Sequence, residues 1–256
     1  MKKENSKSID NNEIIEGRNP VIEALKAGRK LKKIYLASGS RGEIIEVIRE
    51  LAYQKGVAVE EIAKEEMDKR SSTHSHQGVL AYANPYNYAQ VDDILENARQ
   101  NSQDPFVILL DGITDPQNMG AIIRTAECMG AHGVIIPKDR SVNITPAVVK
   151  ASAGAIEYIP VSMVTNMAQT IENLKKEGLW IMGADMEGRF CREVDLKGPI
   201  GLVIGSEGSG MRRLVKEKCD ELLSIPMSGH ISSLNASVAA GILMYEISMQ
   251  RLDIKR

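Results

Sequence analysis

Residues 106–137 read FVILLDGITDPQNMGAIIRTAECMGAHGVIIP, and this stretch decides the fold class. Residues 106–112 are a continuous apolar run that ends in Asp-Gly, which is typical of a strand buried on both faces of a parallel sheet. A helical segment over 119–130 and a second short apolar strand over 133–137 follow. A strand, a helix and another strand in close succession predict a βαβ unit, in which the two strands are parallel.

The same alternation continues towards the C-terminus. It predicts an α/β domain over 105–256, in which a parallel sheet carries helices on both faces. The further strands are predicted over 158–164, 179–185, 198–208 and 221–227, and a final long helix is predicted over 235–252.

The N-terminal part predicts a smaller α/β domain over 13–85. Its two clearest helices, over 17–28 and 41–56, each end at a glycine, which is a common helix stop signal. Residues 86–104 contain one predicted helix and little else that could build a core, so we interpret them as a linker. The polar residues 1–12 are expected to be a disordered leader.

The composition excludes several classes of protein. Of the 256 residues, 43% are hydrophobic and 4% aromatic, and the formal net charge is -2. These values exclude a strongly cationic nucleic-acid binder on the global average and disfavour RNA recognition mainly by base stacking. The three cysteines form neither a zinc pattern nor a disulfide framework. Without an apolar signal segment or an apolar run of roughly 18 residues, a cytoplasmic protein with no membrane partner is expected.

Three loops follow strands of the larger domain, at the carboxyl ends where open parallel sheets build binding sites. The first loop, DGITDPQNMGAIIRTAE, spans 111–127. Residues 115–117 predict a turn, Asn118 is expected at the cap of the next helix, and Gly120 permits close backbone approach. Arg124 either faces solvent as an ordinary helix residue or binds an anion such as an RNA phosphate.

The second loop, GLVIGSEGSGM, spans 201–211 and is rich in glycine. The spacing of Gly205, Gly208 and Gly210 fits neither a dinucleotide fingerprint nor a P-loop. Glu207 would repel a phosphate, so the loop suits a neutral or cationic ligand such as S-adenosylmethionine. An ordinary strand-to-helix turn is the alternative.

The third loop, SIPMSGHISSLNASVAAG, spans 224–241 and concentrates small hydroxyl and amide side chains. These groups could donate to and accept from a ribose hydroxyl. Ser233 or Asn235 could equally cap the last helix, which is the common structural role of such residues.

The three loops together carry a family resemblance. The patterns N-x-G-x-x-x-R-T-A, G-x-E-G-x-G-M and I-P-M-x-G-x-x-x-S-L-N-A-S-V-A occur in this order. They closely resemble the three motifs of the SpoU (TrmH-type) RNA 2′-O-ribose methyltransferases, and the resemblance covers 106–250. It implies transfer of a methyl group from S-adenosylmethionine to a ribose 2′-hydroxyl. The catalytic residues it implies are Asn118, Arg124, Glu207, Ser233 and Asn235.

The resemblance also implies structure that composition does not reveal. SpoU enzymes have a SPOUT domain with a C-terminal trefoil knot, a rare exception to the rule against knots. They work as homodimers through this domain, with S-adenosyl-L-methionine as the cofactor and no metal. The cofactor-binding residues it implies are Gly205, Ser206, Gly210, Ile225, Met227 and Leu234.

The N-terminal segments 14–28 and 74–83 resemble the start and end of a ribosomal-protein-like RNA-binding domain attached to some SpoU enzymes. The RlmB subgroup, which methylates a guanosine in 23S ribosomal RNA, is best known for this arrangement. A run of basic residues between 17 and 42 agrees with RNA contacts, and a solvated helix end is the alternative. The RNA-binding residues predicted from this run are Arg18, Lys30, Lys32 and Lys33.

The reaction needs a group that removes the hydroxyl proton, and the family assigns this role to the position of Arg124. Because a guanidinium is normally protonated, we expect Arg124 either to lose its proton transiently or to position the hydroxyl together with an RNA phosphate. Asn118 is expected to orient Arg124 or the ribose, and Glu207 to hold its loop or the arginine. Ser233 and Asn235 are expected to contact the target nucleotide.

Other functions remain open from the sequence. The substrate could be a tRNA ribose or an adenosine, and the chain could be an inert RNA-binding scaffold. A nucleotide-binding dehydrogenase is disfavoured by the glycine spacing. His74 and His76 lie close together, but no further ligand is near, so they predict a turn before a strand and not a metal site.

Overall fold

The computed structural model of the chain describes residues 13–230 and 233–252. The chain divides into two compact units, residues 1–87 and residues 88–256. Each unit has its own sheet, which confirms the predicted α/β class with a smaller N-terminal part and a larger parallel-sheet part. The leader predicted over 1–12 lies outside the described residues.

The first unit is a four-stranded sheet with strand order β1-β4-β2-β3. Strands β2 and β3 are parallel, and the other two neighbouring pairs are antiparallel. β1 is absent from the sequence-based prediction because four residues without apolar alternation carry little signal. The elements are β1 (Glu13–Glu16), α1 (Arg18–Lys26), β2 (Leu31–Ala37), α2 (Glu43–Gln54), β3 (Val59–Ile62), α3 (Lys64–Arg70) and β4 (Val79–Ala83).

The second unit is a six-stranded sheet in which every neighbouring pair is parallel, as the alternating pattern predicts. The strand order is β10-β8-β9-β5-β6-β7. The elements are α4 (Val91–Gln100), β5 (Phe106–Asp111), α5 (Pro116–Cys128), β6 (Gly133–Pro137), α6 (Pro146–Ala151), β7 (Val161–Val164), α7 (Met167–Lys176), β8 (Trp180–Phe190), β9 (Ile200–Gly205), α8 (Arg213–Lys216), β10 (Glu221–Ser224) and α9 (Ala236–Arg251).

β5 lies inside this sheet, and all six of its residues are buried. Helices α4, α7 and α8 pack on one face of the sheet, in a cluster that includes Val107 and Leu109. Helix α5 contacts α6 and α9. Sequential helices therefore cover both faces, which explains why β5 is apolar throughout.

The segment predicted as a linker, 86–104, differs from that prediction. The structure places residues from 88 onward in the second unit, and Ile94, Leu95 and Ala98 of α4 are buried there. The hydrophobic stripe of one short helix is enough to close the core beneath β5 and α7.

Gly120 shows the close approach that the sequence predicts. A Cβ atom on this residue would lie 2.4 Å from the Cβ of Ala151, so α5 and α6 touch at their backbones. The trefoil knot stays a prediction. Within the described part of the chain, no helix combines the length and apolar character that crossing a bilayer requires.

Candidate active site

Asn118, Glu207 and Asn235, one from each motif loop, meet beyond the carboxyl ends of the strands. The Nδ2 amide of Asn235 donates to Oδ1 of Asn118 at 3.0 Å and to Oε2 of Glu207 at 3.2 Å. Nδ2 of Asn118 also donates to Oε2 of Glu207 at 3.4 Å. We call these three residues the amide–carboxylate cluster.

Asn118 reaches this cluster from the first turn of α5. The helix cap is Asp115, whose Oδ2 accepts a hydrogen bond from the backbone N–H of Asn118 at 2.9 Å. The expectation that Asn118 is the cap is therefore wrong by three residues. Pro116 occupies the first helical position, where a missing N–H costs nothing, so Asp-Pro fixes the helix start. The Asn118 side chain is left free for the site.

Asn235 has two functions at once. Its Oδ1 atom caps α9 by accepting from the backbone N–H of Ser237 at 2.9 Å and of Val238 at 3.4 Å. An amide has one oxygen and one NH2 group, so a capping oxygen directs the NH2 group towards Asn118 and Glu207. The predicted capping role is confirmed for Asn235, and the cap fixes the orientation that the cluster requires.

The glycine-rich loop closes on itself between Ser206 and Gly210. Their backbones exchange two hydrogen bonds of 3.0 Å, and the Ser206 hydroxyl lies 2.6 Å from that of Ser209. A Cβ on Gly205 would lie 2.3 Å from backbone atoms of Gly210 and Met211, so only glycine fits there. The tight loop leaves Glu207 exposed near its tip.

A buried ion pair anchors the end of this loop, and sequence reasoning missed it. Asp111, the last residue of β5, is 1% exposed. It accepts two hydrogen bonds from Arg212, from the backbone N–H at 2.8 Å and from Nε at 2.7 Å, and its Oδ1 forms an ion pair with Nη2 at 2.5 Å. The signal was present, because a carboxylate that ends a fully apolar strand needs a partner. Its partner could not be found without knowing that β5 and β9 are neighbours.

The predicted cofactor-binding residues fall into two groups. Gly205, Ser206 and Gly210 belong to the closed loop. Ile225 and Met227 follow β10, and Leu234 directly precedes Asn235. Ile225 and Leu234 are half-buried, whereas Met227 is exposed.

Arg124 and Ser233 have no hydrogen bond to the cluster among the described contacts. Both are exposed, and Arg124 makes no hydrogen bond or ion pair with any residue that the structure describes. Six residues separate Asn118 from Arg124 on α5, which places their side chains about 120° apart around the helix. The expected contacts of Arg124 with Asn118 or Glu207 are therefore absent from the described part of the chain.

The four predicted RNA-binding residues do not form one patch. Arg18 begins α1, whereas Lys30 lies beyond its other end, and a helix of this size is about 14 Å long. Lys33 makes an ion pair with Glu60, and its Nζ atom lies over the ring of Tyr35, 5.2 Å from the ring centre. Acids distant in sequence thus neutralise part of the basic run.

His76 and His74 lie in the predicted turn before β4, which is confirmed. The two ring nitrogens of His76 are both engaged: Nε2 lies 2.8 Å from Asp68 and Nδ1 accepts from the Gly78 N–H at 3.0 Å. No group of three or more potential metal ligands occurs among residues 13–230 and 233–252.

A parallel sheet whose three motif loops meet at one edge, in a chain that also has a separate smaller α/β unit, fits an RNA-modifying methyltransferase. The chain belongs to the SpoU rRNA methylase family, whose model matches residues 105–245. A second family model, described as RNA 2′-O ribose methyltransferase substrate binding, matches residues 14–89. The predicted family is thereby confirmed for both parts of the chain.

Known proteins resemble the chain over nearly its whole length. A Bacillus subtilis protein named as a TrmH family tRNA/rRNA methyltransferase, YacO, is 48% identical over 92% of this chain and 94% of its own. The SpoU methyltransferase AviRb from Streptomyces viridochromogenes, solved with AdoMet, has a TM-score of 0.79 at 25% identity and covers 98% of this chain and 95% of its own. An AdoMet-bound rRNA methyltransferase from Sinorhizobium meliloti has a TM-score of 0.77 at 26% identity, and the match covers 95% of this chain and 89% of its own.

Proposed function

We propose that the chain transfers the methyl group of S-adenosylmethionine to a ribose 2′-hydroxyl of ribosomal RNA, at a guanosine of 23S RNA. The observation that carries this proposal is the amide–carboxylate cluster. It combines fixed hydrogen-bond donors with one acceptor carboxylate and holds all three motif loops together. Such a set can orient a hydroxyl group without a metal.

The residues present fit S-adenosylmethionine. The loop from Gly205 to Gly210 is closed and carries one carboxylate, Glu207, and no cation. It suits a ligand with a sulfonium and an amine better than one with a phosphate. Two of the similar solved structures contain AdoMet, which supports the same choice. In the proposal the cofactor is held by Gly205, Ser206, Gly210, Ile225, Met227 and Leu234.

S-adenosylmethionine, when bound, supplies a methyl group on a positively charged sulfur that leaves readily. The chain's own residues then have two tasks. Asn118, Glu207 and Asn235 orient the ribose so that its 2′-oxygen is aligned for attack, and Ser233 contacts the target nucleotide. Arg124, which has no bound partner in the described structure, binds the adjoining phosphate and positions or accepts the hydroxyl proton.

Ribosomal RNA is proposed over tRNA because the chain carries the smaller unit in addition to the methyltransferase unit. A substrate-binding module in the same chain suits a large RNA in which one nucleotide must be selected by its surroundings. The relatives' names leave tRNA as the second candidate.

We also propose that the chain is a homodimer through its second unit. Val238, Ile242 and Tyr245 on α9 are 48%, 40% and 52% exposed. Their spacing of four and three residues places them on one face of the helix. The cap of this helix is Asn235 of the cluster, so a second copy on the first turns of this face would lie next to the site.

The test is transfer of tritiated methyl from S-adenosylmethionine to unmodified 23S RNA, 16S RNA and tRNA, followed by nucleoside analysis. The proposal expects label in 2′-O-methylguanosine from 23S RNA. Label in tRNA would support the same methyl transfer but identify tRNA as the substrate. Absence of label from every RNA, with S-adenosylmethionine nevertheless bound, would contradict the proposal and favour an inert scaffold.

A further inference from the structure

A buried carboxylate organises the turn that precedes β4 in the first unit. Glu16 is fully buried and accepts hydrogen bonds from Ser71 Oγ at 2.7 Å, from Ser72 N at 2.6 Å and from Ser72 Oγ at 2.8 Å. Thr73 also donates to it. A buried charge with this many donors fixes the loop that surrounds it.

The same turn contains two strained residues. His74 and Gln77 have φ angles of 51° and 54°, in the left-handed region that residues with a side chain rarely adopt. Strain of this kind persists where the surrounding structure over-determines it, and it clusters at functional sites. Glu16 supplies that constraint on one side of the turn.

The strained Gln77 holds Arg18. Its carbonyl oxygen accepts from Nε of Arg18 at 3.2 Å, and its side-chain Oε1 accepts from the backbone N–H of Arg18 at 3.3 Å. The Nη1 and Nη2 groups of Arg18 make no hydrogen bond within the described residues. The Nε contact therefore orients the guanidinium, and its Nη1 and Nη2 groups remain available to bind a ligand.

Arg18 lines an open pocket of about 520 Å³ together with Asn19, Ile44 and Gln77. None of its four lining residues carries a carboxylate. The free guanidinium edge suits a phosphate, the two amides suit polar base edges, and exposed Ile44 suits a flat apolar surface.

The other basic residues between 17 and 42 are weaker candidates for the same role. Lys26 pairs with Glu23 at 3.0 Å, Arg29 pairs with Glu13 at 3.0 Å, and Lys33 pairs with Glu60. A paired cation has to give up its partner before it can bind a phosphate, whereas Arg18 does not.

We propose that this pocket binds one nucleotide of the RNA substrate, with Arg18 on its phosphate and Asn19 and Gln77 at its base. The inference rests on the proposed function, because it assigns a subsite for the RNA on which the second unit acts. It places RNA contact at the Arg18 pocket and not along the basic run.

The test is binding of an unmodified 23S RNA transcript to the full chain, measured by filter binding from 50 to 300 mM salt. Arg18→Ala is expected to weaken binding about tenfold and to lower the salt slope by about one unit, since one phosphate contact is lost. Arg18→Lys keeps the charge but not the Nε contact, and it is expected to recover only part of the affinity. Lys55→Ala, at the opposite end of α2, removes the same charge from an exposed site and should leave binding unchanged.

Arg18→Ala binding within twofold of the wild type, or an equal loss in Lys55→Ala, would overturn the inference. Thermal unfolding of each variant shows whether the first unit is folded, and S-adenosylmethionine binding shows that the second unit, which carries the cofactor loops, is unaffected. If the wild type methylates RNA and Arg18→Ala binds RNA normally, only the proposed nucleotide pocket is contradicted. A wild-type chain that neither binds nor methylates RNA contradicts the proposed function as well.

Discussion

The side-chain amide of Asn235 lies 3.0 Å from the side-chain oxygen of Asn118, although 117 residues separate them in the chain. One amide caps the last helix and the other occupies the first turn of α5. Their contact fixes the relative position of the first and third motif loops, and Glu207 joins the second loop to both.

Asn235→Asp separates the capping role from the site role. Aspartate caps a helix as well as asparagine does, so thermal stability should change little. The substitution removes the NH2 donor and places a second carboxylate against Glu207, so kcat should fall about 100-fold or more. Stability and kcat are measured on the same preparation. Near-normal turnover would contradict a role for the amide in the reaction.

Arg124→Ala should abolish turnover and leave S-adenosylmethionine binding nearly intact, because Arg124 is exposed and bonds to no described residue. Arg124→Lys should also be inactive, since lysine cannot reproduce the planar fork. Methyl transfer and calorimetric cofactor binding are measured in parallel. Lys176→Ala, another exposed cation of this unit, is the control and should keep full activity. Activity retained in both Arg124 variants would exclude the proposed role.

Arg212→Ala should destabilise the second unit by about 2–3 kcal/mol, because it leaves the buried Asp111 carboxylate without its side-chain partner. The value is reduced from that of a fully buried pair because the Arg212 side chain is 42% exposed. Cofactor affinity should fall too, since the pair anchors the glycine-rich loop. Asp111→Asn in the same urea titration keeps acceptor capacity without the buried charge and should cost less. Equal stability of the wild type and Arg212→Ala would refute the anchoring role.

The stability of the first unit should depend on pH through Glu16. Burial by itself raises the pKa of Glu16, but hydrogen bonds from Thr73, Ser71 and Ser72 outweigh it, and the pKa is lowered from 4.5. Because the pKa of Glu16 is lower in the folded state, Glu16 stabilises the fold fully above about pH 4.5. This stabilisation is lost as the pH falls through the folded-state pKa.

Glu16→Gln should therefore lower stability by about 1–3 kcal/mol at pH 7 and by less at pH 3. Thermal unfolding of both proteins across this range measures the difference, with exposed Glu50→Gln as the control. If the difference in thermal stability between the wild type and Glu16→Gln does not narrow towards pH 3, ionised Glu16 does not have the proposed stabilising role.

Tyr245→Lys on α9 should dissociate the proposed dimer, because it places a charge within the exposed apolar face. Sedimentation equilibrium measures the change in mass. Tyr53→Lys on α2, a still more exposed tyrosine of the other unit, should leave the mass unchanged. A wild-type chain that sediments as a monomer would rule the dimer out.

The sequence predicted the fold class and the residues of the cluster because both depend on local patterns. The apolar run of β5 and the three loop motifs are each continuous in the chain. The sequence did not predict the contacts between distant segments. The pairing of Asp111 with Arg212, the neutralisation of Lys33 by Glu60 and the burial of α4 all depend on which elements become neighbours.

The chemistry of the product itself gives the most direct test of ribose methylation. Alkaline hydrolysis of RNA requires a free 2′-hydroxyl, so a 2′-O-methyl group leaves the adjoining bond uncut. After methylation of 23S RNA with tritiated S-adenosylmethionine and complete alkaline digestion, we expect the label to elute in alkali-resistant dinucleotides. Label recovered in mononucleotides would mean methylation of a base, and it would contradict transfer to a ribose 2′-hydroxyl.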